Sequence, residues 1–578
     1  MKVILNLLLL ISINWAFSQE NLVDYSAIKH INVNADYAKI TRVGDEDGAA
    51  SEFEIETFKQ PKFIYNCATA IPINNQNFKK DRVFLLSFDA KTTKSSLETG
   101  EAKVNLMFRQ SNSYKDNIVH TQSIASEWQT YHVPFQATKY IHKDDIKIVM
   151  QYGFKPQTFL IKNLKFEVYP EGTDIASLPK TKITYMGMEP DANWRKAAIN
   201  RIESIRKGDF KIQLVKNDKP VVGKTINIKL VAHHFSFGGA INAKDVVENG
   251  DAYNHFKQAF NAVVLANDLK IKAWRFEPKV ETALKALDIL NNDGYKVKGH
   301  VLIWPGFNYL TPEFRQNKDN PEEIKTLMQT HLDRILDATK GKVSRWDVVN
   351  EAYTNRDLQR ITGSEDILFN GFNVLKEKQP NVLAFTNEYG IISKGGIDSK
   401  KQQWYYNFVK RIDKNTNGKI DGVGIQCHMG TDLTSPERVI RLLNYYATLG
   451  KKISISEFTM DVEDPEIREQ YTRDFMIAAF SHPSVSEFIF WGYVMDNRKK
   501  VDVFNNDWTA GAMGKAYFGL VHDTWKTNLS SITNHEGVVS GRGFYGTYEY
   551  SYVNDGKLQT GTFNLTPNGS SFYKLHVE

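Results

Sequence analysis

From residue 235 onward, apolar runs of strand length alternate with longer amphipathic stretches, and this unit recurs eight times. The runs are FSFGGAIN (235–242), AVVLANDLK (262–270), YKVKGHVLIW (295–304), SRWDVVNE (344–351), VLAFTNEY (382–389), DGVGIQCH (421–428), KISISEFTMD (452–461) and EFIFWGYVMD (487–496). Such alternation predicts parallel strands joined by crossover helices. Eight strand–helix units over roughly 290 residues have the count and size of a (β/α)8 barrel. The connecting segments carry helix signals. Val280, Leu284, Leu287 and Leu290 share one face, and Asp293-Gly294 ends that helix. Asn320-Pro321-Glu322-Glu323 supplies a cap, a first-turn proline and an acid three residues after the cap.

At 578 residues the chain is too long for one ordinary domain, and the signals before the barrel differ in kind. Between 27 and about 170, short runs such as RVFLLSFDAKT (82–92), WQTYHVPFQA (128–137) and FLIKNLKFEVY (159–169) are separated by polar turns. They predict a β-sandwich of jelly-roll type. The expected division is a signal peptide over 1–18, a jelly-roll domain over 19–172, a linker over 173–194, strands flanking the barrel over 195–234, the barrel over 235–527, and a C-terminal β region over 528–578. That last region, with its hairpin signature Asn554-Asp555-Gly556, is expected to pair with 205–234 in one small β-subdomain.

The first twenty residues, MKVILNLLLLISINWAFSQE, combine a basic start at Lys2, an apolar Val3–Ile13 run and a small-x-small Ala16-Phe17-Ser18 site. This is a secretory pattern, too short to span a bilayer, so export to the periplasm or the medium is expected, with no transmembrane segment. A net charge of +6 is mild, and no basic patch interleaved with aromatics argues for nucleic acid. Cys67 and Cys427 fall in different expected domains and read best as two buried thiols. A monomer is expected.

Catalytic groups of such a barrel stand at the C-terminal ends of its strands. Here those ends carry Asn267 and Lys270, His300 and Trp304, Asn350 and Glu351, Asn387-Glu388-Tyr389, Gln426 and His428, Glu457, and Trp491 with Asp496. Glu351 and Glu457 end strands four and seven, nearly opposite one another. Cleavage of a glycoside with retention needs two carboxyl groups about 5–5.5 Å apart, one to protonate the leaving oxygen and one to attack the anomeric carbon. Trp304 and Trp491 would offer flat faces to sugar rings, Asn350 a hydrogen bond to a sugar hydroxyl, and His428 an orienting contact to Glu457. Solvated strand-end charge is the plain alternative for the two acids, but it does not account for both facing one mouth among amides and aromatics.

WDVVNEAY, GHVLIW, DGVGIQCH, ISEF and FIFWGYVMD resemble the motifs of glycoside hydrolase family 10, the endo-β-1,4-xylanases, over about 195–570. WRKAAINRIESIRKGDFKIQLV and RGFYGTYEY look most like the plant-type branch. The resemblance implies Glu351 as acid/base and Glu457 as nucleophile. It also implies Asn267, Lys270, His300 and Trp304 along the glycone side, and Asn350, Gln426, His428 and Trp491 around the cleavage point. Xylan is the implied substrate and no catalytic cofactor is implied. The N-terminal region resembles the carbohydrate-binding modules joined to such barrels.

The chain departs from the family pattern at four places. Ala266 precedes Asn267 where an acid is usual, Pro305 follows Trp304 in place of a histidine, and Thr459 stands where an acid would partner His428. NRKK (497–500) lacks a second tryptophan. A substituted xylan, another β-1,4-glycan, or a barrel that binds polysaccharide without cutting it therefore remain alternatives. DKNTNGKIDG (413–422) mimics a calcium loop, but Gly424 stands where that loop needs Glu, so a turn is expected. No metal ligands are assigned at the site. A structural calcium in the N-terminal domain is left open, without identifiable ligands.

Overall fold

The computed structural model describes residues 20–27, 33–95, 102–124, 128–181, 183–396, 398–430, 433–460, 462, 464–495 and 501–577. The expected signal peptide, as well as Asp496 and the NRKK segment, lies outside the described residues. The chain divides into two compact units, 1–183 and 184–578.

The first unit is a β-sandwich. One sheet orders strands Ala38–Val43, Glu52–Thr57, Gln157–Val168, Val83–Ser95 and Gln129–Gln136, with Glu20–Asn21 paired to the third of these. The other orders Ala68–Ile71, Lys147–Gln151, Ala102–Arg109 and Ile118–Ile124. Alternation decides which face is inside: in EFEIET (52–57) Phe53, Ile55 and Thr57 are buried while the three glutamates are not. Phe84, Phe108 and Phe166 form the aromatic centre of this core. Cys67 is a buried free thiol here, as Cys427 is in the second unit.

In the second unit eight parallel strands close a barrel: Ser236–Ile241, Ala262–Leu265, Lys296–Ile303, Arg345–Asn350, Leu383–Glu388, Gly422–Met429, Lys452–Met460 and Val485–Phe490. Pairing of the eighth with the first, Ser236 opposite Glu487, closes the ring. The strand positions follow the apolar runs closely because each strand is buried on both faces and reads as an uninterrupted run. The cap expected at Asn320 forms, its side chain accepting from the Glu323 amide at 3.2 Å. In the DKNTNGKIDG segment the helix Ser399–Asn415 ends and a turn follows, and its acids are engaged by lysines: Asp413 by Lys451 at 2.6 Å and Asp421 by Lys376 at 2.7 Å.

One feature differs from expectation. Residues 195–205, expected within flanking strands, belong to a helix, Asn193–Ile205. Trp194, Ala198 and Ile202 recur at four-residue spacing and are its buried positions. The flanks form two four-stranded sheets that share one core, Phe210 of the first meeting Tyr548 and Phe563 of the second at ring-centroid distances of 5.7 and 5.5 Å. Lys207–Lys216 pairs with Val538–Phe544 and, in parallel, with Phe572–His576. Thr225–His233 lies between Asn528–Ile532 and Gly546–Asn554. The Asn217-Asp218 turn closes only onto the two-residue strand Lys219–Pro220, so 207–216 and 225–233 part company. The 554–557 turn is a tight hairpin, with Asp555 and Gly556 both at positive φ.

The barrel interior holds charge. Lys298 of strand three is fully buried and reaches across to Glu487 of strand eight at 3.1 Å, Ser454 of strand seven at 3.2 Å and Asp347 of strand four at 3.0 Å. Arg345 reaches Glu487 at 2.5 Å, and Asp347 meets His300 Nδ1 at 3.0 Å. Burial would push the Glu487 carboxyl up, but Arg345 and Lys298 hold it at about 2. Removing one partner of a buried pair leaves an uncompensated charge, so Lys298→Met should cost about 3–5 kcal/mol in urea unfolding. Because the Glu487 pKa is depressed in the folded state, its contribution is present above the usual carboxylate range and is lost as pH falls toward 2. Unfolding midpoints recorded between pH 7 and pH 3 check the sign.

Candidate active site

All six residues of strand four are buried, and the chain then turns out of the sheet at Glu351, whose φ is 54°. A non-glycine residue in the left-handed region needs support from its surroundings. The Glu351 amide donates to the Asn387 carbonyl at 2.9 Å. Asn355 Nδ2 donates to the Glu351 carbonyl at 3.1 Å and, more weakly, to its carboxylate at 3.4 Å. Gln426 Nε2 donates to Glu351 Oε1 at 3.1 Å. Burial raises the Glu351 pKa and the charge of Glu457 adds to it, with Gln426 pulling the other way. Burial is the largest of these causes.

Glu457 stands on strand seven and is 5% exposed. Asn387 Nδ2 donates to its Oε1 at 2.8 Å, and His428 Nε2 lies 3.2 Å from Oε2. Burial pushes this carboxyl up, but the His428 hydrogen bond, with the fields of His300, His428 and Lys270, carries it below the ordinary range. Two carboxyl groups at one mouth are thus driven in opposite directions, the pattern that divides acid from nucleophile.

Buried amides join them. Asn350 Oδ1 accepts from Gln426 Nε2 and from Asn387 Nδ2, each at 3.1 Å. Since Gln426 also holds Glu351 and Asn387 also holds Glu457, both acids hang from one side-chain carbonyl. Ser456 fixes the Asn387 amide by donating to its Oδ1 at 2.6 Å. Gly424 makes room for that amide, because a Cβ there would sit 2.6 Å from Asn387 Oδ1. Asn350 Nδ2 is buried with no partner among the described residues, as is Trp304 Nε1.

Lys270, His300, Trp304, Asn350, Glu351, Tyr389, Gln426, His428, Glu457 and Trp491 line a single cleft together with Tyr309, Thr354 and Asn355. Asn267 is exposed outside this lining and instead accepts from Lys270 at 2.7 Å. One face of Trp304 is covered, because Tyr309 stacks on the indole at 3.6 Å and 4°. The Lys270 ammonium lies 5.1 Å from the Trp304 ring centroid. Trp304 is therefore a wall held on one face by a second aromatic, and Tyr309 belongs to the site. Thr459 is also corrected, since its hydroxyl lies 3.0 Å from His428 Nδ1 and serves as the partner it was expected to remove. Tyr309, Thr354 and Asn355 were missed because they come from loops, where no periodicity marks them. Asn387 carried a signal, as a buried amide one residue before the end of strand five.

Residues 227–509 match the family model of glycosyl hydrolase family 10. The barrel belongs to that family. An anti-sigma-I factor, RsgI6, from Acetivibrio thermocellus is 28% identical over 400 residues, covering 68% of this chain and 50% of its own length. Endo-1,4-beta-xylanase 3 from Arabidopsis thaliana is 26% identical over 329 residues, covering 56% of this chain and 42% of its own. The chain thus spans half or less of the length of these relatives. The crystal structure of xylanase 10B from Thermotoga petrophila with xylobiose is similar at 22% identity and a TM-score of 0.45, covering 50% of this chain and 95% of that one.

Among the described residues no group of three or more His, Cys, Asp and Glu side chains could hold a metal ion. The His428–Glu457 bond makes a measurable prediction for this family 10 site. His428→Ala should raise the Glu457 pKa, and Thr459→Ala, which only frees the imidazole to turn, should raise it less. Carbon-13 NMR titration of labelled glutamate reads both shifts without substrate.

Proposed function

We propose that the chain is an exported retaining endo-β-1,4-xylanase. The observation that carries this reading is the pair of acids hung from Asn350 with opposite protonation tendencies at the mouth of a family 10 barrel. In the first step Glu457 attacks the anomeric carbon while Glu351 gives its proton to the leaving oxygen. In the second, Glu351 takes a proton from water, which releases the sugar from Glu457. No step needs a cofactor. The unpartnered Asn350 Nδ2 and Trp304 Nε1 are donors suited to sugar hydroxyls, and Trp491 and Tyr389 provide ring surfaces. Several relatives are named endo-1,4-beta-xylanases, which supports xylan as the substrate. The secretory pattern of residues 1–18 supports export. No helix among the described residues is long and apolar enough to cross a membrane.

A second reading, a barrel that binds polysaccharide as a sensor, is favoured by the relative named as an anti-sigma factor. Release of reducing sugar from xylan separates the two readings, and parallel assays on cellulose, mannan and debranched xylan assign the glycan. Glu351→Ala and Glu457→Gln should each lower kcat/KM on xylan by about 10²–10⁴-fold or more with the fold intact by circular dichroism. Full activity in either variant overturns the roles. Activity should fall on the acid side as Glu457 protonates at its lowered pKa. It should fall on the basic side as Glu351 ionises above the usual carboxylate range.

A further inference from the structure

We propose that the buried Glu388–Lys401 pair is the positioning device for the acid at Glu351, anchoring its loop and the Tyr389 ring beside it. This rests on the acid role given to Glu351 above. Glu388 is the last residue of barrel strand five, and Lys401 stands in the first turn of the helix Ser399–Asn415. Their side chains are 1% and 5% exposed and meet at 2.9 Å. Desolvation offsets most of the attraction in such a pair, so stability alone is a poor reason for placing one here.

The contacts of the pair show what it holds. Glu388 Oε2 accepts from the Tyr353 amide at 3.1 Å, two residues beyond Glu351. The neighbouring carbonyl of strand five, on Asn387, takes the Glu351 amide at 2.9 Å. Consecutive residues of strand five therefore grip the chain at Glu351 and just past it, across its left-handed turn. The Lys401 ammonium lies 3.3 Å from the centroid of the Tyr389 ring and 5.2 Å from that of Tyr353. The Tyr389 hydroxyl in turn donates to Thr354 at 3.3 Å, tying the ring to the same loop. Glu388, Lys401, Tyr353 and Tyr389 form one block behind the acid.

The block also acts on the proton. Among the described residues the titratable groups that face the pair are Glu351, Tyr353, Tyr389, Tyr405 and Tyr446, with Asp398 accepting from the Lys401 amide at 2.8 Å. Burial pushes Glu388 up to about 7 against the pull of Lys401. The positive field of Lys401 pulls Glu351 down while burial and Glu457 push it up. Replacing Glu388 by its neutral isostere keeps an acceptor for Tyr353 but leaves the lysine charge unbalanced, which favours ionised Glu351.

The full-length Glu388→Gln and Lys401→Met variants should be compared on two substrates. One is a xylo-oligosaccharide, whose leaving hydroxyl needs a proton. The other is a dinitrophenyl xylobioside, whose phenolate leaves unaided. A misplaced acid in Lys401→Met should lower kcat/KM on the oligosaccharide by about 10–100-fold while the aryl substrate changes by less than about threefold. In Glu388→Gln the basic limb of kcat/KM on the oligosaccharide should move to lower pH. Equal losses on both substrates, or a basic limb that does not move, overturn the proposal. Should Lys401→Met fail to fold, the limb in Glu388→Gln decides alone. Should the unaltered chain cleave neither substrate, the xylanase reading fails by itself. NMR titration of Glu351 then still tests the pair, a lower pKa in Glu388→Gln supporting it and an unchanged one overturning it.

Discussion

Lys298 spans the closed barrel, and the arrangement of the interior follows from its need for compensation. A single ammonium removed from water must find negative partners, and it finds Asp347 and Glu487 on opposite walls. Arg345 takes the other oxygen of Glu487, so the two cations and two anions balance, and Asp347 passes its remaining oxygen to His300. The alternating charges form a chain from the middle of the barrel to its mouth, contributed by strands three, four and eight. Its upper end fixes a ring nitrogen of His300, and His300 packs edge-on against Trp491 in the cleft. The interior thereby specifies the orientation of a site residue as well as the register of the strands.

Above this chain the chemistry passes from charges to amides. Asn350 is fully buried, yet its single oxygen serves Gln426 and Asn387 at once. Polar side chains in a dry interior are held firmly when their bonds are made, because an unmade bond there is costly. The two carboxyl groups inherit that rigidity through neutral links, so neither needs a counter-ion in contact to stay in place. The difference in their protonation then comes from surroundings. Glu351 is desolvated with an amide as its nearest donor, whereas Glu457 has an imidazole within 3.2 Å.

Much of this was legible in the residues. The eight apolar runs marked the barrel, since strands buried on both faces leave no polar alternation to confuse the reading. The acids and amides stood out because a core strand has no structural reason to end in Asn-Glu. Segment 193–205 was harder, because helix and strand are distinguished there by only three buried positions. Thr459 was misjudged for a different reason. A hydroxyl can replace a carboxylate as partner to an imidazole, and only the distance to His428 shows that it does. Trp304 illustrates the same limit, as a tryptophan in sequence carries no sign of which face another ring already covers.

The order of residues alone determined that this chain would build a barrel with carboxyl groups at the ends of strands four and seven, because strand period, burial and strand termini are local properties. Only the tertiary structure decided which groups share a hydrogen bond. Glu388 and Lys401 are separated by a loop, Trp304 and Tyr309 by a turn, and Asn387 and Glu457 by a whole strand–helix unit and more. Their contacts depend on where closure of the barrel brings side chains from different strands, and closure is a property of all eight strands at once.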